Sequence, residues 1–381
     1  MNNKGSKRGV LILTNPLDHE GGVVNYYNLV FKNFYSSEIQ LMHFSVGSRS
    51  FFFYQKKLKK IVYAFYMFAD ICRFMSLMLR QRSIEIIQVS PSLSPVPLIR
   101  DGIFLILAKA FNKKAIVFYR GWKVGTLKTL QENKLFRYFF NRVFQTGTEQ
   151  IVLANRFKSD LESIFSENKN EILVMTTAIE SSRLRRDVRV RECDQTRRVL
   201  YLGRLQREKG VEDLCRAIIA IDSGESNESF IFTIAGHEVK SGYRESLEHM
   251  LESAEIRRGV VTFTGRVEGE RKFLLYAEHD IFVLPSYSEG CPNSVLEALG
   301  TGLFCVTTPV GALEEIIACE RNGILVSPGN HQSIVDGLRS VSADSLSCGA
   351  RKERALEAEL KYDIANITGD LEKLYKRLLD A

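Results

Sequence analysis

Short apolar runs alternate with longer amphipathic stretches along most of the chain. The clearest runs lie at 10–13, 84–89, 199–202 and 281–284. Runs of this length, without a polar face, are typical of strands buried on both sides of a parallel sheet. Each is followed by a segment with helical periodicity, and this alternation predicts a doubly wound α/β architecture.

The same patterns predict the remaining elements. Further strands are expected at 115–119, 150–154, 172–175, 230–235, 260–263, 303–306 and 323–326. Helices are expected from about residue 22 and at 98–111, 127–144, 155–165, 211–221, 243–254, 271–278, 332–341 and 351–379. A proline-broken loop is expected at 90–97, because proline restricts the residue before it to extended conformations.

The length of the chain and one change in composition predict the domain organisation. A chain of 381 residues exceeds what one hydrophobic core ordinarily serves, so two domains are expected. Residues 176–198 are polar and arginine-rich, and we interpret them as the linker into the second domain. We therefore predict an amino-terminal domain at 1–178, a carboxyl-terminal domain at 179–362 and a last helix at 363–381.

Residues 51–80 are the most unusual part of the amino-terminal half, because aromatic and aliphatic residues alternate there with lysines and arginines. Asp70 and Arg73 interrupt the apolar run, so it lacks the ~18 consecutive apolar residues that cross a bilayer. Two interpretations stay open. The segment is either a long helix packed on the sheet with its lysines outward, or a basic amphipathic helix on an anionic membrane surface.

Composition narrows the classes of function. A formal net charge of +7, with 45% hydrophobic and 25% charged residues, indicates a globular protein suited to anionic substrates or membranes. No nucleic-acid recognition motif is present. Seven cysteines without a C-x-x-C pair favour a reduced cytoplasmic protein, and six histidines without ligand spacing predict no metal site. The amino terminus has too short an apolar run for a signal peptide.

The stretch at 289–302, EGCPNSVLEALGTG, joins two of the predicted strands and contains a helix with clear ends. Pro292 suits the first helical position, because its missing N–H is one that a helix start leaves unpaired. Gly300 and Gly302 end the helix. The exposed N–H groups of the first turn, at 293–295, attract an anion.

Two carboxylates flank this helix start. Glu289 lies in the loop, and Glu297 lies within the helix, where side chains lean back toward the N-terminus. An anion site between two acidic side chains repels a bare phosphate but suits a ligand with a negative middle and hydroxyl-rich ends, such as a nucleotide-sugar. Alternatively, the two glutamates only stabilise the helix through its dipole.

A second candidate for phosphate binding is the loop GRLQREKG at 203–210. Gly203 lets the chain turn after a strand, and Arg204 and Lys209 project just before a helix N-terminus. Two cations and free backbone N–H groups there would hold a diphosphate. The loop is not a Walker A motif, because Lys209 precedes Gly210 and no Ser or Thr follows. The alternative is that both are ordinary surface charges.

The amino-terminal half offers two weaker signals. Gly21 and Gly22 stand at a strand-to-helix turn, where glycine lets the backbone approach a ligand closely. Arg120 follows a strand at the carboxyl edge of the predicted sheet, where open α/β sheets bind ligands. We therefore treat Arg120 as a candidate for contacting phosphate or acceptor, and a surface salt bridge is the alternative.

The carboxyl-terminal motifs resemble those of the retaining glycosyltransferases of family 4, which have the GT-B fold. In order, they are GRLQREKG at 203–210, TGRV at 264–267, DIFVLPSYSEGCPNSVLEALGTG at 280–302, TTPVGALEEI at 307–316 and NGILVSPGN at 322–330. Five pieces in the family's order are more specific than any one alone. The amino-terminal half matches only through its Gly-Gly loop and the YRGW strand end.

The resemblance implies an α/β fold in which two doubly wound, Rossmann-like domains face each other across a cleft and the last helix crosses back to the first domain. It also implies catalytic roles: Arg204 and Lys209 would hold the donor diphosphate, and Glu289 would face the donor sugar. Glu297 would hydrogen-bond the ribose. The other implied donor-binding positions are Gly203 in the loop of Arg204 and Lys209; Gly290 and Cys291 near the sugar hydroxyls; Arg266 and Val267 at the base; Asn293, Ser294 and Val295 at the helix start; and Gly21 and Gly22 from the opposite domain.

The resemblance further implies a hexosyltransferase-type enzyme that moves a sugar, with retention of anomeric configuration, from a UDP-sugar to a saccharide or lipid-linked acceptor. Biosynthesis of a surface polysaccharide, such as lipopolysaccharide or exopolysaccharide, is the expected context. The expected location is cytoplasmic, and a peripheral position on the inner face of the membrane stays open with the second interpretation of residues 51–80.

No cofactor and no metal are expected, because cationic side chains can stabilise the leaving diphosphate. Many family members carry His or Asp where this chain has Tyr119 and Arg120, so no general base is assigned. Two alternatives stay open: a non-catalytic nucleotide-sugar binder at the membrane, and a nucleotide-sugar epimerase of the same fold.

Overall fold

The computed structural model describes residues 7–47, 59–145, 148–165, 171–186, 196–224, 229–257, 259–317 and 320–381, with 59–64 and 185–186 described as backbone only. The chain forms two compact units. One contains residues Met1–Thr176 and Ile364–Ala381, and the other contains residues Thr177–Asp363.

Strands and helices alternate in the first unit. They are β1 Arg8–Thr14, α1 Gly22–Asn33, β2 Ile39–Ser45, α2 Lys59–Arg80, β3 Ile84–Val89, β4 Ser92–Leu93, α3 Pro95–Ala110, β5 Lys114–Phe118, β6 Gly121–Trp122, α4 Val124–Glu132, α5 Lys134–Phe140, β7 Thr148–Val152, α6 Asn155–Ile164 and β8 Ile172–Val174. Six strands form a parallel sheet in the order β2-β1-β3-β5-β7-β8, and β4 pairs with β6.

The direction of each crossover places the helices of the first unit. The chain moves from β1 to β2 in one direction and from β2 through β3, β5 and β7 to β8 in the other. Because such connections are right-handed, α1 covers one face of the sheet and α2 to α6 cover the other. The chain's last helix, at Ile364–Asp380, packs against α1, and its buried Tyr375 donates to Gln88 Oε1 of β3 at 2.8 Å.

The second unit repeats this alternation. It contains α7 Ser181–Arg186, β9 Thr196–Leu202, α8 Val211–Asp222, β10 Ser229–Ala235, α9 Tyr243–Ser253, β11 Val261–Gly265, α10 Gly269–Glu278, β12 Ile281–Leu284, α11 Asn293–Gly300, β13 Phe304–Thr307, α12 Leu313–Ile316, β14 Gly323–Leu325, α13 His331–Arg339 and α14 Cys348–Tyr362; α15 is the helix Ile364–Asp380 of the first unit. The sheet is parallel, in the order β11-β10-β9-β12-β13-β14. The predicted doubly wound α/β class is therefore confirmed.

The prediction of one helix at 127–144 is wrong. Helix α4 ends at Glu132, α5 starts at Lys134, and a π-helical turn follows at Asn141–Gln145. Asn133 interrupts the run because it is extended (φ −95°, ψ 101°) and its side chain accepts a hydrogen bond from the Phe136 N–H at 2.9 Å. An asparagine that caps a helix in this way starts a new one.

Three other predictions need correction. The helix predicted at 98–111 begins at Pro95, so most of the predicted loop at 90–97 is ordered as β4 and the first turn of α3. The tail expected to be helical from residue 351 begins earlier, at Cys348, and it divides into two helices at Asp363, where a separate last helix was predicted to begin; Asp363 is extended and accepts from the Ser181 N–H at 3.1 Å. Within the predicted linker, α7 is helical, and residues 187–195 lie outside the described residues.

The sequence patterns also gave no indication of β2, the edge strand at Ile39–Ser45. It contains Gln40 and His43, and only Ile39 and Phe44 are buried. A strand with so few buried positions lacks the continuous apolar run by which the others were recognised.

The unusual segment at 51–80 forms a helix over its carboxyl-terminal part. Residues 51–58 lie outside the described residues, and α2 begins at Lys59 and ends at Arg80. None of the helices in the described ranges is both long and apolar enough to cross a bilayer.

Candidate functional site

The second unit has one position where neighbouring strands lead to helices on opposite sides. From β9 the chain moves outward to β10 and β11, and from β12 it moves the other way to β13 and β14, while β9 and β12 pair directly. The loops after two such strands open a crevice at the carboxyl edge, which is where open α/β sheets bind ligands. The loops here are 203–210 after β9 and 285–292 after β12, the two predicted from sequence.

The loop after β9 lies tightly against the loop after β12. It ends in a 3-10 turn at Arg207–Lys209 and in Gly210, whose φ of +68° is a left-handed conformation. A Cβ on Gly210 would lie 1.9 Å from the carbonyl oxygen of Pro285. Only glycine adopts this φ without strain and also allows the Pro285 carbonyl to approach so closely. The Tyr287 N–H donates to the Glu208 carbonyl at 2.9 Å and fixes the two loops together.

An ion pair joins the predicted cation and the predicted carboxylate of these loops. Lys209 Nζ lies 2.6 Å from Glu289 Oε1, with side chains 17% and 7% exposed. The Ser286 hydroxyl donates to the same oxygen at 2.8 Å. The lysine is thus held in a defined position beside the crevice.

Arg204 lies on the same loop as Lys209, but in a different environment. It is exposed, and in the described part of the chain no carboxylate forms an ion pair with its guanidinium. Its carbonyl accepts from the Tyr201 hydroxyl at 3.1 Å. Burial raises the pKa of Tyr201 well above its ordinary value, so this hydroxyl stays a donor. The loop backbone is therefore fixed while the Arg204 side chain faces solvent.

The start of α11 differs in one detail from the sequence prediction. Pro292 precedes the helix in an extended conformation (φ −74°, ψ 120°), and Asn293 is the first helical residue. The correction follows from backbone geometry, because Pro292 retains the fixed φ of proline but its ψ lies outside the helical range. Pro292, the residue that precedes the helix, makes no capping hydrogen bond with its side chain, and the Val295 N–H donates to the Pro292 carbonyl at 3.2 Å. A proline ring offers no acceptor to the other N–H groups of the first turn.

The stretch Glu289–Cys291 is held by the turn that precedes α12. The Ala312 N–H donates to the Gly290 carbonyl at 2.8 Å. Gly311 has a φ of +61°, and a Cβ there would lie 2.3 Å from the Glu289 carbonyl oxygen. On the helix side, Asn293 Oδ1 accepts from the Thr177 hydroxyl at 3.0 Å, and Ser294 and Val295 continue the first turn. These contacts hold the loop against the helix start.

Glu297 has partners that the sequence analysis missed. Its Oε1 lies 2.7 Å from Lys272 Nζ, and its Oε2 accepts from the Tyr276 hydroxyl at 2.9 Å. Burial, followed by the Glu297 charge, raises the pKa of Tyr276 well above its ordinary value, which keeps the phenol protonated. Lys272 and Tyr276 are four residues apart in α10 and share one face of it. That spacing was the available signal.

Arg266 and Val267 follow β11, at the same carboxyl edge of the sheet. Gly265 takes a φ of +70° and turns the chain, and Arg266 pairs with the exposed Glu268 at 2.8 Å. Val267 is half-buried. The turn therefore follows an edge strand of the sheet, and two strands, β10 and β9, lie between that strand and β12.

The first unit contains the remaining candidates. Gly21, with φ +133°, precedes α1, and Gly22 is the first residue of that helix. Arg120 is 9% exposed, so the alternative of a surface salt bridge is wrong. Its guanidinium lies 3.8 Å from the centroid of the Tyr26 ring and 4.7 Å from that of Phe118. Arg120 packs on aromatic faces because a weakly hydrated, planar cation tolerates burial better than lysine does.

The structure therefore brings Lys209 and Glu289 into contact and places Arg204 on the same loop. Glu297 lies on the helix that the Glu289 loop leads into, with partners of its own on α10. In the described ranges, no group of three or more His, Cys, Asp or Glu side chains is arranged to hold a metal ion.

Comparison with known proteins supports the resemblance noted in the motifs. Residues 196–344 match the family model described as glycosyl transferases group 1. An uncharacterized glycosyltransferase of Methanocaldococcus jannaschii is 31% identical over 242 residues, which cover 59% of this chain and 59% of the relative. The chain thus spans about three fifths of that relative's length. The resemblance to group 1 glycosyltransferases is confirmed.

Solved structures extend the similarity to the whole fold. Sucrose-phosphate synthase from Thermosynechococcus elongatus superposes with a TM-score of 0.74 at 15% identity, covering 98% of this chain and all of that one. The Anabaena protein HepE, in complex with UDP, superposes with a TM-score of 0.70 at 11% identity, covering 97% of this chain and all of HepE. At such identities the likeness concerns the fold, and it confirms the predicted GT-B class.

Proposed function

We propose that this protein is a glycosyltransferase that takes its sugar from a nucleotide-sugar donor. The observation that carries the proposal is the ion pair between Lys209 and Glu289, held at the switch point between β9 and β12. A lysine, an exposed arginine and the N-terminal end of α11 at one crevice suit a diphosphate. The match of residues 196–344 to the group 1 glycosyl transferase model supports this proposal, because both loops of the crevice lie within the matched range.

The proposed chemistry follows from where charge develops. When the bond between the sugar and the phosphate breaks, negative charge grows on the leaving diphosphate while the sugar becomes oxocarbenium-like. Lys209 and Arg204 stabilise that charge, and the start of α11 adds its backbone dipoles. Glu289, in contact with Lys209, faces the sugar. Such a site needs the lysine to exchange its carboxylate partner for a phosphate oxygen as the donor binds.

The finer assignments form part of the same proposal. Glu297, fixed by Lys272 and Tyr276, accepts hydrogen bonds from the donor ribose, and UDP is the proposed nucleotide because HepE, of the same fold, binds UDP. We propose transfer with retention, since the family resembled is a retaining one. The proposed acceptor is a saccharide or lipid-linked intermediate of a surface polysaccharide.

Donor binding can be tested by thermal unfolding of the full chain with UDP-, GDP- and ADP-sugars. A ligand at 100 times its Kd stabilises the native state by ~2.7 kcal/mol, which should raise Tm by about 5 °C or more. We expect one UDP-sugar to do so and then to be consumed with an acceptor from a membrane lipid extract. Tight binding without turnover on any acceptor would favour the non-catalytic binder, and an isomerised nucleotide-sugar the epimerase.

Tyr276→Phe should weaken donor binding without changing the chemical step. The substitution removes one hydrogen bond to Glu297 and leaves its orientation to Lys272 alone, at a cost of about 1 kcal/mol. We expect the donor KM to rise about fivefold with kcat little changed. Tyr375→Phe is the matched control, because Tyr375 is equally buried and donates to Gln88 in the first unit. Equal effects of both variants on KM would contradict the assignment of Glu297 to the donor.

A further inference from the structure

Helix α2 exposes a line of apolar side chains. The four large ones are between 41% and 69% exposed: Phe65, Phe68, Met75 and Leu79. Cys72 is exposed as well and lies between Phe68 and Met75, so that successive members of the line are three or four residues apart. Residues at this spacing form one stripe along a helix. The opposite side of α2 carries the buried Phe74 and Met78, which pack toward the sheet. The stripe therefore faces away from the core.

The two helices that follow in the same layer expose apolar side chains as well. On α3, Val96, Ile99 and Ile106 are 57%, 65% and 53% exposed. Helices α2 and α3 pack side by side, and the turn after α5 packs on α3. Crossover handedness places all three helices on the same face of the sheet.

Helix α5 extends the apolar surface. Leu135, Tyr138 and Phe139 are 66%, 63% and 56% exposed. Ten of the eighteen exposed large hydrophobic side chains of the described residues thus lie on α2, α3 and α5, which we call the outer helical layer. Single exposed apolar residues are normal, whereas a concentration of this kind marks an interaction surface.

The charges of the outer helical layer have one sign. Its only acidic residues, Asp70 and Asp101, are each 1% exposed and pair with Arg73 and Arg100. Helix α5 and the turn after it contain no acidic residue. Exposed cations lie at Arg73, Arg80, Lys134 and Arg142. The accessible charge of this layer is therefore entirely positive.

We propose that the outer helical layer docks on the surface of an anionic lipid bilayer. The exposed aromatic and aliphatic side chains of α2, α3 and α5 would enter the boundary between headgroups and acyl chains, and the cations would contact lipid phosphates. A second copy of the chain is the less suitable occupant. In a two-fold interface the same patch faces itself, and cations would meet cations without an exposed carboxylate on these helices to pair with them.

The outer helical layer belongs to the first unit, whereas the proposed donor site lies in the second. Lipid docking therefore does not depend on the proposed transfer reaction. It can be measured by sedimentation of the full chain with sucrose-loaded vesicles. We expect binding to phosphatidylcholine vesicles that contain about 30 mol% phosphatidylglycerol, because this composition gives a strong negative surface potential. Little binding is expected to vesicles of pure phosphatidylcholine. Binding should fall when salt is raised, because surface electrostatics are screened.

Two sets of variants separate the apolar from the charged contribution. The first is a triple variant that removes most of the α2 stripe: Phe65→Gln, Phe68→Gln and Leu79→Gln. The second is a double variant that removes two exposed cations: Arg80→Gln and Arg142→Gln. We expect each set to lower partitioning at least about tenfold. The matched control is Leu356→Gln with Leu360→Gln, which changes two exposed leucines of α14 in the other unit. This control should bind vesicles as the unaltered chain does.

Thermal unfolding and the donor-induced rise in Tm show separately that each variant is folded and that its donor site is unaffected. Light scattering without lipid reports the oligomeric state. Absence of binding to the anionic vesicles would overturn the proposal, as would equal losses in the Leu356 and Leu360 control. A dimer that the α2 triple variant dissociates, with vesicle binding unchanged, would assign the layer to a second copy and overturn it as well.

Discussion

Lys209→Ala should lower kcat at least about 100-fold while the protein still folds. Removing one preorganised donor from a site where negative charge develops costs about 3 kcal/mol of transition-state stabilisation. Lys209 is well placed for that role, because Glu289 and the loop contact of Glu208 hold it in position before the donor binds. Initial-rate measurements with donor and acceptor, or with donor and water, give the loss directly.

The same substitution should also cost some stability. Glu289, 7% exposed, loses its cationic partner, and among the described residues only the Ser286 hydroxyl still donates to it. An under-satisfied buried carboxylate costs about 1–3 kcal/mol. A second variant, Lys209→Ala with Glu289→Gln, removes the uncompensated charge and should recover most of that loss. It should not recover turnover, because the cation that stabilises the leaving group is still absent.

Arg216→Ala is the matched control for Lys209→Ala. Arg216 lies one turn and a half into α8 and pairs with Glu212 and Asp213, but its side chain is 46% exposed. Such a pair contributes little, about 0–1 kcal/mol. We expect kcat and Tm close to those of the unaltered chain. Donor turnover at the original rate in Lys209→Ala would refute the proposed role of this lysine.

Lys209 and Glu289 show how far a sequence can predict such a site. Both side chains follow strands recognised as apolar runs, and parallel strands end at a common edge of the sheet. Motif order and strand pattern together predicted that these two residues lie close to each other, although they are 80 positions apart in the chain, and the structure confirms that they are in contact. The direct ion pair was not predicted, because the sequence does not show that β9 and β12, the strands before the two loops, are neighbours in the sheet.

Other features depended on tertiary structure in ways that local patterns do not record. Lys272 and Tyr276 became recognisable as partners of Glu297 only when α10 and α11 were seen to lie together. Arg120 was predicted either to contact a ligand or to form an exposed ion pair. Its burial against Tyr26 and Phe118 contradicts the exposed pair, and the ligand contact stays a prediction. The prediction of one helix at 127–144 was wrong for a local reason, because an asparagine within a helical pattern can either continue the helix or cap the start of a new one.

Gly210→Ala should destabilise the second unit strongly. A methyl group at this position would lie 1.9 Å from the Pro285 carbonyl oxygen, which belongs to backbone and cannot rotate away. Relief requires the loop after β9 to separate from the loop after β12. Overpacking of this kind costs about 1–3 kcal/mol, and the left-handed φ of +68° adds about 1–2 kcal/mol for a residue with a Cβ. We expect a loss of about 3 kcal/mol or more in urea unfolding.

Gly242→Ala separates the two contributions. Gly242 also has a left-handed φ, +81°, and precedes α9, but apart from its two chain neighbours no atom of the described residues lies within 4 Å of an added Cβ. The free energy of unfolding of this control should fall only by the cost of the left-handed φ, about 1–2 kcal/mol. Any folded Gly210→Ala protein should also fail to show a donor-induced rise in Tm, because separating the loops breaks the contacts that hold Lys209 beside Glu289. Equal stability of the two variants would mean that the loops after β9 and β12 do not need close contact.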